Sequence, residues 1–223
     1  MRIPFALAAA VVLAAAAPQA VKDWRTTAAA TPSGSIVVGN PAAKVKLVEY
    51  LSFTCPHCGH LVAESKPVLH DAMVRDGTVR VETRAAVRDP FDLAAWSVAK
   101  CSGPARFGAV SRAIFAAQED WTTKGDTYAQ ANLDTLKGMG QQAQIRAIAD
   151  NSGLSAIATR AGVAPAALNQ CLANPAQTKQ LVAMTEAAFA KIKSTPSAEV
   201  NGALSDGVSW AMLEPKLRAA GAK

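Results

Sequence analysis

Val45-Lys46-Leu47-Val48-Glu49-Tyr50-Leu51-Ser52-Phe53-Thr54-Cys55-Pro56-His57-Cys58 is the stretch whose reading decides the fold. Val45 to Phe53 is an apolar run of strand type, and residues 44–52 read as a buried strand. A helix-like run follows directly. Two cysteines two residues apart can close a small ring. Pro56 suits the first helical position, because its missing N–H would find no partner there. Cys55 then stands at or near the N-cap, where unpaired N–H groups and the helix dipole favour a thiolate. His57 adds a polar neighbour that can carry positive charge. This is the layout of a thiol–disulfide exchange site acting on cysteines of other proteins.

Other uses of the pair are poorly supported. Haem attachment needs a histidine directly after the second cysteine, and Gly59 stands there. A metal site would have to recruit Cys55, Cys58, His60 and His70, and a second cysteine pair at metal-ligand spacing is absent from the sequence. His60 and His70 read as surface residues of the first helix. No metal and no cofactor other than a redox-active disulfide is expected.

Downstream of the cysteines the pattern alternates between strand and helix. Residues 56–75 read as a helix carrying Leu61, Val68, Leu69, Ala72 and Met73. Pro67 falls inside it and should kink it, since it cannot bond to the carbonyl of Ala63. Asp76-Gly77 turns the chain into a second strand, 78–84. A long helical stretch follows, with candidate helices at 92–101, 105–118, 129–149, 164–172 and 178–193. Trp96, Phe107, Phe115 and Trp121 read as core of that block. Thr195-Pro196 then introduces a short strand, 197–200. Asn201-Gly202 is a hairpin signal, and Trp210, Leu213 and Leu217 share a face of a last helix. Pro215 either kinks that helix or delays its start.

The N-terminus bears on location. Arg2 and the apolar run Ile3–Ala17 fit a secretory signal peptide, placed over residues 1–20. The run is short for a bilayer span, which takes about 20 apolar residues. Cleavage fits either after Ala20 or within Ala28-Ala29-Ala30, and an uncleaved membrane anchor is the alternative. Residues 21–35 are rich in Ala, Thr, Ser and Pro and read as a flexible segment, with Trp24 the one residue able to dock.

The chain has 223 residues, half of them hydrophobic, and a formal charge of +6. Its basic residues are scattered singly, as at Lys44, Arg75 and Arg80, without interleaved aromatics. That is a solvated basic surface rather than a nucleic-acid footprint. Cys101 and Cys171 remain. In an oxidising compartment they are expected to pair as a structural disulfide; two buried free thiols are the alternative.

The chain resembles the DsbA-type thioredoxin-fold oxidoreductases of bacterial envelopes. The residues that carry the resemblance are Cys55-Pro56-His57-Cys58, Glu49 before them, Thr195-Pro196, and Val200-Asn201-Gly202. Val87-Arg88-Asp89-Pro90 and Cys101-Ser102-Gly103-Pro104 resemble an alphaproteobacterial branch. The resemblance covers about residues 36–220. It implies an α/β fold in which residues 36–90 and 194–223 form a thioredoxin-like domain and 91–193 an inserted helical domain. It implies a strongly oxidising Cys55–Cys58 disulfide, with Cys55 accepting attack and Cys58 resolving. It implies that Pro196 is cis and that Thr195 offers backbone groups to an extended substrate. Glu49 becomes a buried carboxylate that relays protons or tunes Cys58; an edge or solvent-facing glutamate is the other reading. The implied protein is a monomer of the periplasm. Its partners would be reduced exported proteins and a DsbB-like membrane reoxidant, with no nucleic acid. A disulfide isomerase or reductase of the same fold, or a non-enzymatic peptide-binding module, is the alternative. One departure stands out: Ser197, Ala198 and Glu199 follow the proline where the family usually has aromatics.

Overall fold

A computed structural model describes residues 22–223. The expected signal peptide, residues 1–20, lies outside the described residues. Among the described residues no helix is long and apolar enough to cross a membrane.

Six strands form one sheet: β1 (Ala28–Ala30), β2 (Ile36–Gly39), β3 (Val45–Leu51), β4 (Val79–Ala85), β5 (Ser197–Val200) and β6 (Ala203–Ser205). Their order is β1-β2-β4-β3-β5-β6. β3 and β4 are parallel, pairing Val45 with Val79 through Leu51 with Ala85. Parallel neighbours need a crossover, which α1 (Pro56–Ser65) and its continuation supply. Antiparallel β5 flanks β3 on its other side, so β3 is central and almost continuously buried. The β5–β6 hairpin turns at Asn201 and Gly202, both with positive φ, at 50° and 89°. A two-residue turn of that hand requires such angles, which explains the Asn-Gly pair.

Eight helices lie between β4 and β5: α2 (Pro90–Cys101), α3 (Pro104–Ala116), α4 (Gln118–Ala131), α5 (Leu133–Gly138), α6 (Gln141–Asn151), α7 (Leu154–Arg160), α8 (Pro165–Leu172) and α9 (Pro175–Phe189). α10 (Trp210–Ala219) closes the chain against α1 and β5. This is a thioredoxin fold with helices inserted between its two halves. Phe53, at the end of the central strand, joins the two parts. Its ring lies 5.0 Å from that of Trp96 in α2 and 4.6 Å from that of Phe115 in α3. Phe53, Trp96, Phe107 and Trp121 are all buried. Truncating a large aromatic at such a position costs about 3–5 kcal/mol.

Several local expectations need correction. The segment 21–35, read as flexible, carries a 3-10 turn (Trp24–Thr26) and the edge strand β1. Three alanines give no strand signal in sequence; the backbone of β2 supplies the pairing, Ala28 to Val38 through Ala30 to Ile36. Trp24 does dock: its N–H donates to the carbonyl of Arg75 at 3.1 Å, and its ring fills the space where a side chain at Gly77 would stand. Pro67 does not break its helix. The chain passes into π-helical turns over Lys66–Val74, a wider winding in which the proline ring is tolerated. The single helix expected over 129–149 is three pieces, interrupted at Asn132 and at Met139-Gly140. Pro215 sits inside α10, which starts at Trp210 without delay.

Candidate active site

Cys55 is the N-cap of α1, with extended backbone angles of −88° and 116°, and Pro56 follows as the first helical residue. Both thiols are free here, and both cysteines are buried. Cys58 lies one turn further along and is fully covered. Two effects split the pair. The Cys58 thiol beside it, then Thr195 and the backbone N–H groups of Cys58 and His57, bring the Cys55 thiol down to about 5. Burial, then the proximity of Cys55, drives the Cys58 thiol up. The N–H of Ser52 reaches the Cys58 sulfur at 3.5 Å. The outer sulfur is thus a stabilised leaving group and the inner one holds its proton.

The second half of the fold meets this helix end at the Thr195–Pro196 peptide, which is cis. Cys55 Sγ donates to the carbonyl of Thr195 at 3.3 Å across 140 residues of sequence. The residues after Pro196 explain how the strand manages without aromatics. Ser197 Oγ shares its one proton between the carbonyl of Ser194 at 2.7 Å and Asp206 Oδ1 at 2.8 Å. Tyr50, on the neighbouring central strand, donates its hydroxyl to Glu199 Oε1 at 2.5 Å.

Glu49 faces inward, only 6% exposed. Its carboxyl makes no hydrogen bond among the described residues and borders a cavity of about 170 Å³ with Leu51, Val62, Phe107 and Arg112. Burial pushes its carboxyl up to about 7. His57 is exposed beside Cys55. Cys101, the last residue of α2, is bonded to Cys171 in α8, with Cα atoms 5.7 Å apart and 70 residues between them in sequence. Among the described residues, no group of three or more His, Cys, Asp or Glu side chains is placed to hold a metal ion.

A strand, a helix capped by the first cysteine of a Cys-X-X-Cys pair, and a cis-proline loop against it together match a known pattern. The family model described as thioredoxin matches residues 31–215. The chain belongs to the thioredoxin family. The structure of a protein-disulfide isomerase from Novosphingobium aromaticivorans superposes with a TM-score of 0.74 at 34% identity. The match covers 82% of this chain and 95% of that one. The alpha-DsbA1 protein of Wolbachia pipientis shares the fold, with a TM-score of 0.64 at 18% identity over 83% of this chain and 90% of its own. Among curated relatives, a protein of Rickettsia bellii named as a protein-disulfide oxidoreductase is 27% identical over 78% of this chain and 60% of its own length. One of the same description from Rickettsia conorii is 28% identical over 75% and 53%. The chain thus spans a little over half the length of these relatives.

In this thioredoxin-family site the inserted helices hold the loop that precedes the helix. Asp92, completely buried in the first turn of α2, accepts the N–H of Phe53 at 2.7 Å and that of Arg88 at 3.0 Å. Burial raises its carboxyl to about 7, with these bonds pulling the other way. Asp89 caps α2 through the N–H of Asp92 at 2.8 Å and accepts the Thr54 hydroxyl at 2.6 Å. Gln118, the first residue of α4, donates Nε2 to the carbonyls of Phe53 at 2.7 Å and Cys55 at 3.0 Å. Sequence reasoning marks Asp92 only as a helix-start residue and passes over Gln118. A lone glutamine at a helix start carries no pattern, and its partners lie 63 and 65 residues away.

The clamp yields a measurable expectation. Gln118→Ala removes both bonds to the loop, at a cost of about 1 kcal/mol in stability. With the helix end less firmly aligned, the Cys55 thiolate transition should rise by on the order of one pH unit. Ultraviolet absorbance of the reduced protein, followed against pH, checks this. A transition identical to that of the parent protein would show that the loop keeps its form without Gln118.

Proposed function

We propose that this protein is a thiol–disulfide oxidase that donates its Cys55–Cys58 disulfide to other proteins. The observation that carries the reading is the split between the two thiols: Cys55 lowered to about 5 at the helix end, Cys58 buried and raised. A stable leaving thiolate makes the reduced form favourable and the disulfide oxidising.

The reaction follows from that asymmetry. A substrate thiolate attacks Cys55 Sγ, the more accessible sulfur. The Cys55–Cys58 bond breaks, and the electron pair leaves on Cys58, which takes up a proton. A second substrate thiolate then attacks the substrate sulfur of the mixed disulfide and expels Cys55 as thiolate. The substrate loses two electrons and gains a disulfide; the Cys55–Cys58 pair gains both electrons. Glu49, buried and protonating near neutrality, is assigned the role of proton donor and acceptor for Cys58. Thr195 presents its backbone to the substrate segment beside Pro196, a strand-like contact.

The same reading places the protein in the bacterial envelope. The signal-like residues 1–20 and the resemblance to envelope oxidases support export to the periplasm. Reduced exported proteins are then the substrates, a DsbB-like membrane protein restores the disulfide, and the protein acts as a monomer. The redox group is the disulfide itself, without a further cofactor. A second reading, disulfide isomerase, is favoured by the likeness to the Novosphingobium aromaticivorans protein-disulfide isomerase. An isomerase needs its attacking cysteine reduced, an oxidase needs the pair oxidised. Mixing the oxidised protein with an excess of a reduced, disulfide-requiring protein separates the two. The oxidase removes two substrate thiols per molecule of enzyme without added glutathione. No loss of substrate thiols would overturn the proposal.

A further inference from the structure

Charge is divided sharply around Cys55. On one flank a trough runs from Cys55 and Thr195 to Arg88, Phe189 and Lys193. Arg88 and Lys193 are exposed, and among the described residues neither side chain is ion-paired. Their main-chain positions are nevertheless fixed. The N–H of Arg88 is held by buried Asp92 at 3.0 Å, and that of Lys193 by Asp206 at 3.0 Å. Phe189, at the end of α9, lines the same trough and leaves 43% of its surface uncovered. On the other flank, beyond Thr54 and Pro56, stand Asp89, Glu119 and Asp126. Glu119 and Asp126 are exposed and carry no counter-ion among the described residues.

We infer that the site selects by charge, accepting extended segments of reduced proteins in which the reactive cysteine has an acidic and an apolar residue beside it. The inference rests on the exchange reading of Cys55. Three observations decide which flank takes the segment. Thr195, whose carbonyl touches the Cys55 sulfur, lines the basic trough and not the acidic face. Thr195 also borders a groove with Pro196, His57, His60 and Glu64, whose carboxylate disfavours an acidic segment, so an acidic segment pairing along Thr195 lies on the side of Arg88 and Lys193. Phe189 offers apolar area that docking removes from water. The acidic flank lies close enough for its field to turn carboxylates away, since screening at physiological salt extends over about 8 Å. The two cations also favour the attacking form of the substrate, because a nearby positive charge stabilises a thiolate. The chemistry is unchanged: substrate thiolate to Cys55, electron pair and proton to Cys58.

The test uses the oxidised full chain and three dithiol peptides that differ only in the residues beside the cysteine, with two Glu, two Gln or two Lys. At low salt the Glu peptide should be oxidised fastest and the Lys peptide slowest, by a ratio of about tenfold. That ratio should shrink towards one in about 0.5 M salt. Arg88→Glu combined with Lys193→Glu should invert the order. Lys44→Glu with Lys137→Glu changes the net charge equally on residues that line neither flank, and should keep the parental order. Equal rates for all three peptides at low salt would overturn the inference while leaving the exchange reading intact. An order that follows net charge alone, inverted by both double variants, would also overturn it. Failure to oxidise even the Gln peptide would remove the exchange reading, and this inference with it.

Discussion

Replacing Cys55 with serine should bring dithiol oxidation down to the uncatalysed level, whereas Cys58→Ala should turn the protein into a trap. The outer sulfur is the only one of the pair at the open end of α1, so it is the atom that substrate can reach. A serine hydroxyl cannot form the mixed disulfide. In Cys58→Ala the Cys55 thiolate can attack a disulfide already present in a client protein, forming the mixed disulfide and releasing the client's other sulfur as thiolate, and no inner thiol is present to undo that bond within the enzyme. Covalent adducts should then accumulate with disulfide-bearing client proteins and run as reductant-sensitive species on a gel. The Cys55→Ala protein should yield few. Equal trapping by the two single variants would contradict the division of roles between the sulfurs.

The second large effect concerns stability. The Cys101–Cys171 bond ties the end of α2 to α8 across 70 residues, so it restricts the unfolded chain strongly. Replacing both by alanine should cost about 4 kcal/mol on the chain-entropy account. For a chain of this size that is a fall in melting temperature of about 10 °C. Neither residue touches the Cys55 loop, so peptide oxidation should survive at temperatures where the variant is folded. Alkylation and mass measurement give an independent check. Mild reductant should expose two thiols, Cys55 and Cys58, and the other two should appear only under strong reduction or on unfolding. Alkylation of Cys101 and Cys171 in unfolded, unreduced protein would show that the bond is absent.

Much of this architecture is legible in local signals. Pro56 after Cys55 announces a helix start, and the apolar run before it announces a buried strand. Asn201-Gly202 marks a hairpin because few residue pairs accept its two positive φ angles. What escapes depends on partners distant in the chain. Ala28–Ala30 becomes a strand only because β2 offers it an edge. α4 gives little signal because it buries little beyond Trp121 and Gly125, and Gly125 matters only for the Phe91 ring packed on it. Asp92 looks in sequence like an ordinary first-turn acid. Its bond to Phe53, 39 residues back, is a product of tertiary packing. Arg88 and Lys193 likewise read as scattered surface charges until the fold brings them to one trough with Phe189 and Cys55.

The central claim is that the pair is a strong oxidant. Equilibrating the protein with glutathione redox buffers, and counting free thiols at each ratio, gives its reduction potential. The lowered Cys55 thiol and the buried Cys58 predict a value more oxidising than about −180 mV, above the poise of an oxidising compartment. A value near about −270 mV, in the range of cytosolic reductants, would contradict it.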